Sequence, residues 1–365
     1  MSSLLQHRPA DAAPRLAGTL GTIDGVVIAE VWGAVDGWLV HPDHPVDRVR
    51  VRLNGKPLGE AEIDERPDVA SLFPPVKHAP RCHYVAQGPV HELQGKPLYI
   101  EVIGLSGGRE VIRAEDYWPG DDTLGIPVPD GDLRQRVSGS RSEASFRQSG
   151  YSIAGQLLSA VREFLPGVAQ PRVLDWGCGS GRATRYMHLF WPDLPLTGCD
   201  IDAEAIGWCR QHIPGVGFDA TGPFPPLPYP DGAFDAVVGS SVMTHLAAPV
   251  QEQWLKEIRR VLAPGGVFVT SVLGTLASVG LPEALRAVLM RDGIMDQKLD
   301  EALDGVAPAN YYRSTYQSEA FTRRRWGRVL PVVAYRAGGL TNFQDLVVMR
   351  RDAAARSLWR SMVGG

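Results

Sequence analysis

The sequence predicts an α/β domain with a doubly wound, mostly parallel sheet, preceded by a small all-β sandwich. Three observations carry this. Before about residue 120 the chain runs in short alternating segments separated by turn dipeptides. From about 150, strand-like and helix-like segments alternate, as in a parallel sheet with right-handed crossovers. Between two such segments lies a glycine-rich turn, Gly177-Cys178-Gly179-Ser180-Gly181.

Composition sets the frame. The 365 residues suffice for two domains, and 44% hydrophobic with 21% charged residues describes an ordinary globular protein. A formal charge of −4 provides no broad basic field for a nucleic-acid backbone. Arg323, Arg324 and Arg325 form a local basic run that reads as a solvated helix face. The cysteines Cys82, Cys178, Cys199 and Cys209 form no CxxC pair and lack zinc-ligand spacing, so free thiols in a reducing compartment are expected. Residues 1–19 have no signal-peptide pattern and read as disordered, and no apolar run is long enough to span a bilayer. A cytoplasmic location follows.

Residues 20–118 make up the expected sandwich. Val49, Val51 and Leu53 alternate with Arg50, Arg52 and Asn54, the period of a half-buried strand. Asn54-Gly55 and Gly107-Gly108 are hairpin signals. Residues 119–142, rich in Gly, Pro, Asp and Ser, read as a linker. The α/β domain spans 143–352. SIAGQLLSAVREFL is an amphipathic helix, RVLDWG a strand, GRATRYMHLFW a helix, PLTGCD a strand and AEAIGWCRQH a helix. After the strand FDAVVGSS, residues Trp254, Ile258, Val261 and Leu262 take core-facing helical spacing, and VFVTSV follows. RVLPVVAYR and FQDLVVMRR are expected to turn at Gly338-Gly339, giving a reversed last strand. Trp326 belongs to the core of the helix QSEAFTRRRW, and 353–365 is a tail.

The glycine turn has the form GxGxG, not the dinucleotide pattern GxGxxG, and an acid, Asp175, stands two places before its first glycine. An acid there repels a pyrophosphate and suits a cationic ligand such as S-adenosylmethionine. Asp200 ends the next strand, where an acid binds ribose hydroxyls. Asp202 reads as a helix N-cap and Asp235 as structural. Phe218 to Thr221 ends the third strand, where adenine contacts fall; Asp219 either accepts from the adenine amino group or is a solvated turn acid.

Four motifs stand in order: LDWGCGSGR, GCDID, LPYPDGAFDAVV and EIRRVLAPGG. Together they resemble the class I S-adenosylmethionine-dependent methyltransferases over about 145–350. GCGSGR, PPLPYPDGAFD and SSVMTHLAAPVQEQWLKEIRRVLAPGG together look like a bacterial branch often encoded beside glycosyltransferases. The resemblance implies the seven-stranded Rossmann-like methyltransferase fold with S-adenosylmethionine as cofactor. It also implies that Asp175, Gly177, Gly179 and Gly181 contact the methionine part, Asp200 the ribose, Ile201 the adenine face, and Asp219 or Thr221 its edge. That branch often carries a histidine after the strand that here reads VFVTSVLG; none stands there, so no role is carried over.

An alcohol acceptor needs its proton removed. His245, in SSVMTHL, is either that base or a histidine that holds its loop. Tyr311, Tyr312 and Arg313, in an insertion after the fifth strand, are either acceptor-binding residues or part of a lid packed on the core. No Asn-Pro-Pro-Tyr motif points to amino methylation, and no acid cluster points to a metal. The segments around WGAVDGWLVHP, RVRVRLNG and RPDVASLFP resemble β-sandwich modules attached to bacterial glycosyltransferases and glycan-modifying enzymes. In that module Trp32, Trp38 and Tyr84 are either core or sugar-stacking residues. The resulting expectation is O-methylation of a saccharide or glycolipid precursor in surface-polysaccharide biosynthesis, with glycosyltransferases as partners. The alternatives are a small-molecule or natural-product O-methyltransferase and a non-catalytic cofactor-binding scaffold.

Overall fold

A computed structural model describes residues 20–41, 43–70, 76–274, 277–297, 306–308 and 311–353. The expected disordered N-terminus (1–19) and all but the first residue of the tail (353–365) lie outside the described residues.

The N-terminal part contains strands β1 (Leu20–Ile28), β2 (Trp32–Val40), β3 (Arg48–Leu53), β4 (Lys56–Glu62), β5 (Asp64–Glu65), β6 (Arg81–Pro89), β7 (Leu98–Ser106) and β8 (Arg109–Trp118), with one helical turn, α1 (Pro67–Ala70). They form two four-stranded antiparallel sheets, ordered β1-β2-β6-β5 and β4-β3-β7-β8. Inward residues of both sheets, among them Val35, Leu39, Val49, Val51, Leu53 and Ile100, share one core. The alternation of β3 therefore buries its valines and turns Arg48 and Arg50 outward, where both pair with Glu60. Asn54 and Gly55 turn into β4 with positive φ at both positions. Tyr84 is fully buried, its hydroxyl donating to the Thr22 carbonyl at 3.2 Å, so it offers no face to a sugar. Trp38 is half-buried, whereas Trp32 is 41% exposed.

The chain then forms α2 (Gly131–Ser138), α3 (Glu143–Phe164), β9 (Val173–Trp176), α4 (Thr184–Phe190), β10 (Leu196–Asp200), α5 (Ala203–His212), β11 (Gly217–Ala220), β12 (Phe234–Gly239), α6 (Ala248–Val261), β13 (Leu262–Val272), α7 (Glu283–Asp292), β14 (Ile294–Gln297), β15 (Ser314–Gln317), α8 (Glu319–Trp326), β16 (Val332–Leu340) and β17 (Gln344–Arg350). Helix α2 falls inside the stretch read as linker. Asp130 caps it by accepting from the Leu133 amide, and Gly139 ends it in the left-handed conformation.

The large sheet has the order β11-β10-β9-β12-β13-β17-β16. Its first five strands run parallel, and β17 is antiparallel to both neighbours. The reversed strand is thus present, but the turn before it is not at Gly338-Gly339. Those glycines lie within β16, at a register shift, and the chain turns at Thr341 and Asn342, both with positive φ. Asn342 is buried there, its amide bound to the Glu115 carbonyl across the unit boundary, which holds the turn in place. Trp254, Leu255, Ile258 and Val261 form the buried face of α6, and Trp326 is buried with its indole N–H on Gln251. In α8, Arg323 pairs with Glu319 and Arg325 with Glu252.

The two parts are welded along β8 and α3. Tyr99 and Tyr117 of the N-terminal sheets belong to the same core cluster as Tyr151, Tyr186 and Phe190. The Tyr117 hydroxyl meets Ser159 Oγ at 2.6 Å, Ser152 binds the buried Asp116 carboxylate, and Gln156 donates to the Glu115 carbonyl at 3.1 Å. Tyr117→Phe removes one such bond and keeps the ring. It is expected to lower the unfolding free energy by about 1 kcal/mol, read by urea denaturation; an unchanged midpoint would show that this bond does not tie the units together. Among the described residues no helix is long and apolar enough to cross a membrane.

Candidate functional site

Strand order reverses between β9 and β12, and the crevice at their carboxyl ends is where ligands bind in such sheets. A cavity opens there, walled by Asp175, Trp176, Gly177, Cys178 and Gly179 from β9 and its loop, and by Asp200, Ile201 and Asp202 from β10. Thr221, Trp254 and Tyr311 complete the far side, and Arg136 and Val137 of α2 the near side.

The glycine loop is shaped by close approach. Gly177 has φ +76°, and a Cβ there would lie 2.2 Å from Val242 Cγ2. Gly181 has φ +70°, but its missing Cβ makes room for Cys209 of α5 and for Ile213, which follows that helix. Gly181 is not among the lining residues of this cavity or of its neighbour described below; it seats a helix against the loop.

Two carboxylates, Asp175 buried and Asp200 half-buried, face this loop. Asp175 accepts from Thr184 Oγ1 at 2.6 Å, and burial pushes its pKa up to about 6. Asp200 accepts from the Gly179 amide at 2.7 Å and from the Asp202 amide at 2.8 Å; burial raises its pKa as well. Asp202 caps α5 through the Glu204 and Ala205 amides. These bonds fix each carboxylate and leave lone pairs for a cationic amine at Asp175 and for hydroxyls at Asp200.

Asp219 is not at the cavity. Its carboxylate accepts from the Tyr229 hydroxyl at 3.0 Å and sits 4.0 Å from Arg210. It lies within β11, one position short of the carboxyl edge, while Thr221 stands past that edge and its amide binds the Asp200 carbonyl. Thr221 therefore lines the wall and Asp219 does not. Asp235 pairs with Arg172 at 3.0 Å, far from the crevice.

A second, wider cavity of about 820 Å³ adjoins the first. The two share a wall that includes Val137, Arg182, Ser240, Ser241, His245 and Tyr312. Ser241 holds φ +60°, a strained position for a residue with a Cβ. The His245 ring stacks on Tyr312 at 4.0 Å and 14°. Its Nδ1 lies 3.0 Å from the Arg313 carbonyl, and the Arg313 amide returns a 3.0 Å bond to the His245 carbonyl. A carbonyl only accepts, so Nδ1 carries the proton and Nε2 is the basic nitrogen. Arg313 contributes through its backbone; its guanidinium turns away to Asp296 at 3.0 Å and lines neither cavity. The Tyr311 hydroxyl accepts from Trp254 Nε1 at 3.2 Å.

Sequence reasoning missed Arg136, Val137 and Arg182. The first two sit on α2, whose capping signals Asp130 and Gly139 were legible. Arg182 follows directly on the third glycine.

The site fits a ligand with an ammonium, ribose hydroxyls and a slim stem: two fixed carboxylates supply the acceptors, and a Cβ on the loop would obstruct the turn. Comparison with known proteins agrees. Residues 174–270 match the family model described as methyltransferase domain. The chain is 33% identical over 151 residues to the fatty-acid O-methyltransferase of Mycolicibacterium smegmatis, covering 41% of this chain and 48% of that protein. It is 32% identical over 149 residues to the malonyl-[acyl-carrier protein] O-methyltransferase of Herminiimonas arsenicoxydans, covering 40% and 54%. Among solved structures, an S-adenosylmethionine-dependent methyltransferase from Mesorhizobium loti matches 54% of this chain and 98% of its own, with 19% identity and a TM-score of 0.41. The chain spans about half the length of the curated relatives it matches. Residues 174–270, which carry Asp175, the glycine loop and Asp200, are thus similar to a methyltransferase domain.

The raised pKa of Asp175 gives a pH dependence of known sign. Burial favours its neutral form, so the stability it contributes is largest below the ordinary carboxylate range and is lost as pH rises through about 6. Pairing with an ammonium needs the ionised form. Affinity for S-adenosylhomocysteine should therefore rise with pH, by about tenfold from pH 5 to 7.5, as the ionised fraction climbs from about a tenth to nearly all. Calorimetric titration at both pH values checks this; an equally steep dependence in Asp175→Asn would remove Asp175 as its source.

Proposed function

We propose that the protein transfers a methyl group to a hydroxyl of a saccharide or glycolipid precursor in surface-polysaccharide assembly, acting in the cytoplasm. What carries the reading is the meeting of the cofactor crevice with a roomy polar chamber at the His245–Tyr312 pair. Asp175, Gly177 and Gly179 would hold the methionine part of the cofactor, Asp200 the ribose, and Ile201 and Thr221 the adenine. Bound there, S-adenosylmethionine supplies a methyl group already activated on sulfonium. The protein's remaining tasks are to align the acceptor and to take its proton. The Arg313 carbonyl fixes the tautomer of His245, the Tyr312 stack fixes its plane, and Nε2 accepts the hydroxyl proton. Tyr312 gives the chamber an aromatic face and a hydroxyl that suit a sugar, and Tyr311 stands in the adjoining crevice.

The N-terminal sheets read as a β-sandwich module of the kind attached to glycan-modifying enzymes. With Tyr84 in its own core and Tyr99 and Tyr117 in the core shared with α3, its role is to brace α3 and to present Trp32 to a glycan or a glycosyltransferase partner. A second reading, O-methylation of a small-molecule or lipid acid, draws on the names of the two curated relatives. Incubation with labelled S-adenosylmethionine and two acceptor sets, lipid-linked saccharides and free fatty acids, separates the readings. Label in the saccharide fraction is the expected result; label in fatty acid methyl ester alone would favour the second.

A further inference from the structure

The wide chamber contains an arginine that forms no ion pair with an acid among the described residues. Arg182 lines both cavities, and its stem lies against Gly150 of α3. The chamber's other two arginines are paired, Arg136 with Asp202 and Glu204, and Arg141 with Asp132. Asp132 is the only acid on the chamber wall, so its charge is already used. Among the described residues, the Arg182 guanidinium has no ion pair and no hydrogen bond. Its charge is felt by Asp175 on one side and Tyr312 on the other, and burial lowers its pKa only to about 10, so it stays cationic at neutral pH. On the same shared wall, the Ser240 hydroxyl oxygen is buried and has no partner among the described residues. A half-buried cation and a buried hydroxyl left unpaired are costly unless a ligand completes them.

We propose that the chamber binds an acidic acceptor, one bearing a carboxylate or phosphate, with Arg182 as its counter-ion and the Ser240 hydroxyl as a second donor. This rests on reading the wide cavity as the acceptor chamber. The anion anchors the molecule, and a separate hydroxyl is presented to His245. An acidic sugar or a phosphorylated glycolipid precursor has this chemistry; a neutral sugar can accept hydrogen bonds from both groups but leaves the charge of Arg182 unbalanced.

The test uses the full chain saturated with S-adenosylhomocysteine, titrated calorimetrically with benzoate, phenyl phosphate and neutral benzamide. At least one anion should bind about tenfold or more tighter than benzamide. In Arg182→Gln that preference should vanish while S-adenosylhomocysteine affinity stays within about threefold; Arg182→Lys should keep part of it. Melting curves show that each variant is folded, and if the glutamine variant is not, the lysine variant and the wild-type anion preference decide. Equal binding of anions and benzamide by the wild type, or an undiminished preference in the variants, overturns the proposal. So does a tenfold loss of S-adenosylhomocysteine affinity in folded Arg182→Gln, which would assign the guanidinium to the cofactor's own carboxylate. Failure of the wild type to bind S-adenosylhomocysteine at all is a different result and bears on the methyltransferase reading itself.

Discussion

Gly177→Val is expected to weaken S-adenosylhomocysteine binding at least about a hundredfold while the protein still folds. Two costs combine. A side chain held at φ +76° is strained by about 1–2 kcal/mol. The added Cβ also meets Val242 Cγ2 at 2.2 Å, so either Val242 moves or the loop does; overpacking of this kind costs about 1–3 kcal/mol. Both residues line the cofactor crevice, so the displacement falls where the ligand binds. Calorimetry with circular dichroism separates the effects. Unchanged affinity in a folded variant would mean that the cofactor does not approach the loop at this point.

His245→Gln should reduce turnover by about two to four orders of magnitude while cofactor affinity stays within about threefold. Glutamine can still donate to the Arg313 carbonyl, so the loop tie at 3.0 Å is retained and the basic nitrogen alone is lost. The acidic limb of the pH–rate profile, set by protonation of Nε2, should disappear as well. Normal turnover would reduce His245 to a residue that holds its loop, the other role its hydrogen bonds to Arg313 allow. A turnover loss with the acidic limb preserved would point to the same conclusion.

Much of the α/β unit was legible because its signals are local. The helical spacing of Trp254, Ile258 and Val261 fixes which face of α6 is buried, and the acid at the end of β10 follows from the strand's length. Other features depend on contacts distant in sequence. The chain turns at Thr341 and Asn342 and not at the nearby glycines because Asn342 is bound to Glu115, more than two hundred residues away. Asp219 lies one position short of the sheet edge, a distinction finer than a strand boundary read from pattern. Arg313 has the right composition for a binding residue, yet Asp296 takes its side chain and His245 its backbone. Arg182 went unnoticed because its importance is an absence: every other arginine on the chamber wall has an acid beside it. The stretch 119–142 misled by composition, since Gly and Asp there are the caps of α2 and not linker residues.

The central claim is that the crevice between β9 and β12 holds S-adenosylmethionine. Calorimetric titration of the full chain with S-adenosylmethionine and S-adenosylhomocysteine tests it most directly. Saturable one-to-one binding in the micromolar range, weakened in Gly177→Val, is the predicted result. A folded protein that binds neither compound would contradict the account.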